Sequence, residues 1–160
     1  MSIRTLQPER LWKEFYEICQ IPHPSKKEEK MIAYLQEFGK RHNLETRTDA
    51  AGNVLICKPA TPGYENRKKV ILQSHMDMVC EKNNDTQHNF DTDPIQPYID
   101  GEWVKAKGTT LGADNGIGMA TELAILASND LKHPALECLF TVDEETGLTG
   151  AFAIDPQLLK

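Results

Sequence analysis

Leu11, Trp12, Phe15, Ile18 and Cys19 recur at three- and four-residue spacing, the period of a helix with one apolar face. Pro8, whose φ is fixed in advance, suits the first turn of that helix, and Pro22 and Pro24 close it. A second helical pattern, Met31, Ile32, Leu35 and Phe38, runs to about His42 and Asn43, and Ser25 with Glu28 three residues on reads as its capping box. Alternation then replaces helical spacing. Residues 44–48 and the apolar run 54–57 predict two strands joined by the turn-rich stretch 49–53. After a loop over 59–66, Val70-Ile71-Leu72-Gln73 predicts a short buried strand that ends in Ser74-His75-Met76-Asp77.

Residues 81–93 are polar and read as solvated surface, because they lack the glycine and the distal glutamate of a calcium loop. Around Asp100-Gly101 the pattern predicts a tight hairpin over 98–104. A glycine-rich loop over 108–118 then leads into a helix carrying Ile117, Ala120, Leu123, Ala124 and Ala127. A second strongly apolar strand over 136–142 ends in Asp143-Glu144-Glu145-Thr146-Gly147, and Asp155-Pro156 predicts the start of a last helix. Strands alternating with helices, plus a hairpin, predict an α/β fold with a mixed sheet layered with helices. No internal repeat or low-complexity tract interrupts it.

At 160 residues and 18.0 kDa the chain can bury a core of its own. Its 18 basic and 24 acidic side chains leave a formal charge of -6, which argues against nucleic acid and favours a cation wherever the acids gather. No apolar run is long enough to span a bilayer and the first residues lack the core of a signal peptide, so a cytoplasmic protein without a membrane partner is expected. Cys19, Cys57, Cys80 and Cys138 show no C-x-x-C spacing and are expected to be mostly buried small hydrophobes. Asn84-Asp85-Thr86 matches a glycosylation sequon by chance in that compartment.

Ligands in open α/β sheets bind beyond the carboxyl ends of strands, where His75 and Asp77 fall. Asp114 in the glycine loop and the run Asp143-Glu144-Glu145 add carboxylates at comparable positions. Two divalent cations ~3.5–4 Å apart require a carboxylate that reaches both, flanked by terminal ligands. Asp114 suits the bridge, since glycines on either side let the backbone come close. His75 is then a ligand through one ring nitrogen, and Asp77, on the same side of an extended chain, orients it through the other. Of Glu144 and Glu145, one faces the metals and the other serves a water as general base, and the spacing leaves open which. Rival chemistries fail on spacing: the glycine loop lacks the Gly-Lys-Ser/Thr end of a P-loop and the order of a dinucleotide fingerprint, and neither His-Glu-x-x-His nor Gly-x-Ser-x-Gly occurs.

Ser74-His75-Met76-Asp77-Met78-Val79, residues 109–118 and residues 143–151 resemble the three motifs of the dinuclear zinc exopeptidases, the family that includes carboxypeptidase G2 and peptidase T. In detail they are most similar to its aminoacyl-histidine dipeptidases (Xaa-His dipeptidase, peptidase D), with Met76 and Asn115 separating them from related deacylases and tripeptidases. The likeness runs from the first helix to Lys160. It implies that His75 is a zinc ligand, Asp77 its orienting partner, Asp114 the bridging ligand, Glu144 the general base and Glu145 a ligand of the other zinc. The implied reaction is hydrolysis of small peptides, Xaa-His dipeptides favoured, by a water shared between two zinc ions, for which cobalt or manganese can substitute.

Family members are longer, with a further acidic ligand, a distal histidine ligand and an inserted lid domain, none of which falls in residues 1–160. The chain is therefore expected to be the N-terminal portion of a catalytic domain, with the lid and C-terminal part absent, inactive alone and exposing an apolar sheet edge. A homodimer stays open for the complete protein. The alternatives are a zinc deacylase or tripeptide aminopeptidase of the same family, or a non-catalytic metal-binding fragment.

Overall fold

In the computed structural model, which describes residues 2–159, the chain begins with a 3-10 turn, Ile3–Thr5, and two helices, α1 (Glu9–Cys19) and α2 (Glu29–Arg41). Strands β1 (Glu45–Thr48), β2 (Val54–Lys58) and β3 (Val70–His75) follow, then the hairpin β4 (Pro97–Asp100) and β5 (Trp103–Ala106). Helix α3 (Ala113–Ala127), strand β6 (Leu136–Thr141) and the short helix α4 (Thr149–Phe152) complete it. The main sheet runs β1-β2-β6-β3, with β6 antiparallel to β2 and parallel to β3. This is the mixed sheet layered with helices that the pattern predicts.

Alternation along β2 and β6 divides the core into two sides. Val54, Ile56, Cys138 and Phe140 join Phe15 and Ile18 of α1, Met31, Leu35 and Phe38 of α2, and Met119 and Leu123 of α3. Leu55 and Leu139 point the other way and meet Leu158. With a neighbour on each side, β6 is buried along its whole length.

Four expectations change. Val70–His75 is not a buried strand: it lies at the sheet edge with Val70 and Ile71 exposed, because only β6 pairs with it among the described residues. Pro8 stands at the cap before α1 and not inside its first turn. No capping box forms at Ser25 and Glu28; α2 starts at Glu29 without a side-chain cap, since both side chains bond elsewhere. Asp155 opens a turn and not a helix, its amide held by Asp49 at 3.2 Å and Leu158 tucked under the sheet. The four cysteines are free, with Cys19 and Cys138 buried and Cys57 and Cys80 half-buried. Among the described residues no helix is long and apolar enough to cross a membrane.

Candidate metal centre

Parallel strands β3 and β6 both end at the same edge of the sheet, so the loops that follow them meet. His75 closes β3, and the pairing runs one residue further, through the Met76 N–H to the Thr141 carbonyl at 2.8 Å. Met76 and Met78 fill the core, and Asp77, between them, is buried too. His75 Nδ1 lies 3.0 Å from the Asp77 carbonyl oxygen and 3.3 Å from Asp77 Oδ1. A carbonyl only accepts, so Nδ1 carries the proton and Nε2 is the nitrogen left for a ligand. Nε2 is 2.9 Å from Asp114 Oδ1 and 3.7 Å from Glu144 Oε2.

Asp114 reaches that point from the turn at the head of α3. Gly112 sits at φ +72, and a Cβ there would come within 2.9 Å of Met78 Sδ, so a side chain fails on both conformation and space. Asp114 and Asn115 depart from helical φ/ψ, and the peptide between them is cis. Asn115 Oδ1 then accepts the Gly118 N–H at 3.1 Å, as a cap would, and the regular helix proceeds. The Asp114 side chain is 85% exposed, free to meet a ligand from solvent.

Past the end of β6 the backbone turns sharply, with Asp143 at φ +48. The Glu144 amide donates to Asp77 Oδ1 at 2.9 Å and the Glu145 amide to Oδ2 at 3.2 Å, where the Ser25 hydroxyl also donates at 2.7 Å. Asn53 braces the same loop: its Oδ1 accepts the Val142 N–H at 3.0 Å and its Nδ2 donates to the Gly150 carbonyl at 2.9 Å. Asp77 thus ties the end of β3 to the acidic pair, besides touching His75.

Charge follows from this arrangement. Burial of the imidazole opposes its protonation, but hydrogen bonds to Asp77 and Asp114 outweigh burial and lift His75 to about 9. Burial pushes Asp77 up, yet His75, the Glu144 amide, Ser25 and the Glu145 amide together hold it well below the usual carboxylate range. Glu145 is raised by burial and by Asp114 and Glu144 nearby, against the pull of His75. The position around Nε2 therefore favours positive charge, whether a proton or a metal.

Ligand atoms of His75, Asp114 and Glu145 all lie within 4.8 Å of one another. One imidazole with two carboxylates is a donor set that zinc, manganese or cobalt accepts. A cleft of about 450 Å³ opens there, lined by His75, Asp114, Asn115 and Glu144 and by apolar Leu148 and Ile154. All five residues singled out in the sequence meet at this one place. Ser25, Glu28 and Asn53 were missed, because the first two pass for a local cap and Asn53 for a turn residue.

An imidazole and carboxylates gathered at the carboxyl ends of parallel strands, open to a cleft, make a candidate metal centre on an α/β fold. The chain belongs to peptidase family M20/M25/M40, whose pattern matches residues 71–159. It is 56% identical over 159 residues to the cytosol non-specific dipeptidase of Escherichia coli (strain K12), covering 99% of this chain and 33% of that protein. The crystal structure of aminoacylhistidine dipeptidase from Vibrio alginolyticus superposes with a TM-score of 0.98 at 58% identity, covering 100% of this chain and 33% of that one. A tripeptidase from Staphylococcus aureus matches at a TM-score of 0.78 and 25% identity, over 97% of this chain and 42% of that one. The chain thus spans about a third of the length of the two dipeptidases.

Proposed function

We propose that this chain carries part of the catalytic centre of a metal-dependent dipeptidase that works with two zinc ions in the cytoplasm. The observation that carries the reading is the convergence of His75, Asp114 and Glu145 within 4.8 Å on a chain 56% identical to a dipeptidase. His75 through Nε2, Asp114 as a shared ligand and Glu145 would hold the two zinc ions, and Asp77 fixes the imidazole. When bound, the zinc pair supplies Lewis-acid polarisation of the scissile carbonyl and lowers the pKa of water towards ~7. Glu144 takes the proton of the attacking water and passes it to the leaving amine. That division of the acidic pair is supported by Glu145 contributing to the ligand group while Glu144 lines the cleft. The remaining ligands come from sequence outside residues 1–160, which form the N-terminal portion of the catalytic domain. Dipeptides are the substrate class, with Xaa-His preferred, as the name of the Vibrio relative suggests.

In the full-length protein, Glu144→Ala is expected to lower kcat on Xaa-His dipeptides by ~10²–10⁴-fold while zinc content stays at the wild-type level. Elemental analysis and a panel of dipeptides, tripeptides and acylated amino acids check this. Near-normal turnover in the variant removes Glu144 from the chemistry. Wild-type cleavage confined to tripeptides or acylated amino acids replaces the substrate class and leaves the metal centre standing.

A further inference from the structure

The acidic pair has two backbone anchors on Asp77 and a third, one residue upstream, that the reaction just described does not use. Glu28, buried at 5% exposure just before α2, accepts the Asp143 N–H through Oε1 at 2.8 Å. The amides of Asp143, Glu144 and Glu145 are thus each held by a carboxylate oxygen, the first from Glu28 and the next two from Asp77. Asp143 is a non-glycine residue in the left-handed region, at φ +48, a conformation that persists only where its surroundings hold it. Its own carboxylate accepts the Thr146 hydroxyl at 2.6 Å and its carbonyl the Thr149 N–H at 3.0 Å, so what Glu28 holds is the Asp143 N–H.

Local structure accounts for Glu28 only in part, through the nearby amides of Lys26 and of Glu28 itself. It gives α2 no side-chain cap bond, and its partner lies 115 residues away in sequence. It also stands among like charges, since ligand atoms of Glu28, Asp77 and Asp143 lie within 4.8 Å of one another and all three residues are buried. Grouping buried carboxylates is unfavourable unless each is satisfied. Here N–H and O–H donors do so: the Asp143 amide on Glu28, Thr146 on Asp143, and Ser25 with two amides on Asp77. With those donors in place the trio is no second cation site.

We propose that Glu28 is a positioning residue: by holding the Asp143 N–H it fixes the left-handed turn that aims Glu144 and Glu145 at His75 Nε2. This rests on the metallopeptidase reading above. What the turn requires is an acceptor at the right reach, so Glu28→Gln keeps the function, whereas Glu28→Asp, one methylene shorter, and Glu28→Ala lose it.

The test uses the full-length protein, with zinc affinity measured by chelator competition beside kcat and KM on a dipeptide. Glu28→Asp and Glu28→Ala are expected to weaken zinc binding by ~10–100-fold and to lower kcat with little change in KM, and Glu28→Gln to stay within ~3-fold of wild type in both. A purely structural role lowers only the folded fraction and leaves zinc affinity of the folded protein unchanged. Folded Asp or Ala variants with wild-type zinc affinity overturn the proposal. Should neither fold, Glu28→Gln decides, and a tenfold loss of zinc affinity in it has the same consequence. Wild-type protein that neither binds zinc nor cleaves dipeptides overturns the metallopeptidase reading instead, whatever Glu28 does.

Discussion

Asp77 accepts from the Ser25 hydroxyl and from the Glu144 and Glu145 amides, and it touches His75 through Oδ1, so both of its oxygens are saturated. An asparagine of the same shape cannot do this. One of its ends becomes an NH₂ that faces either the Glu144 amide or the Glu145 amide, leaving a buried N–H without an acceptor, and His75 loses its charged partner. Asp77→Asn is therefore expected to weaken zinc binding by ~10–100-fold and to cost about 3–5 kcal/mol of stability near neutral pH. The fold holds Asp77 below the usual carboxylate range. Its contribution is thus complete above the unfolded value near pH ~4 and is lost as pH falls through the lower folded value. Urea unfolding of wild type and variant should show a gap that is widest near neutrality and closes in acid; a gap independent of pH assigns the loss to packing. At this scale the sequence was legible where residue type marks a possible ligand, as at His75 and Asp114, while residue type left open which of Glu144 and Glu145 joins them in the group within 4.8 Å. Ser25 and Glu28 were not legible, since a Ser-x-x-Glu spacing is a capping box by every local rule and only partners 52 and 115 residues away take both side chains from the helix.

Among the elements, two apolar runs of similar composition met different fates. Residues 136–141 became the central strand and residues 70–75 an edge, because burial depends on neighbours that an apolar run does not name. Helix α3 was legible by its period, but Glu122 within it was not marked as buried, since contact with both α1 and β3 extends the covered face beyond the apolar stripe. Glu122 Oε2 has no hydrogen-bond partner, and burial, only partly offset by Ser74 and Cys138, lifts its pKa to about 8 from 4.5. A raised folded value means that its stabilising share is fully present below pH 4.5 and is lost as pH rises through about 8. Glu122→Gln keeps the shape and removes the titration. The variant is expected to be less pH-sensitive and more stable than wild type above about pH 8, by on the order of several kcal/mol. Denaturant unfolding at about pH 5 and about pH 9 checks it, and equal slopes in the two proteins assign the charge at high pH to water reaching the carboxyl.

For the molecule as a whole, the sheet has one side of β3 without a partner strand among the described residues, and Val70 and Ile71 there are 40% and 47% exposed. An edge of N–H and C=O groups carrying β-branched side chains is a template for another strand, and no proline, lysine, arginine or carboxylate within β3 blunts it. The net charge of -6 opposes association only over about a Debye length, roughly 8 Å at physiological salt, while backbone pairing acts at contact. The 160-residue chain is therefore expected to self-associate through β3, more strongly as salt rises. Ile71→Lys puts a charge on the exposed face without touching His75, Asp77 or the pairing to β6, so it should raise the dissociation constant at least tenfold and leave the fold intact. Sedimentation velocity at several concentrations, with circular dichroism as the control for folding, separates the outcomes. A concentration-dependent shift in the wild type that Ile71→Lys abolishes assigns the contact to this edge. A wild type that stays monomeric shows that the twist and short length of β3 suffice to protect it, and an unchanged shift in the variant moves the contact to the exposed Trp103 or Phe152.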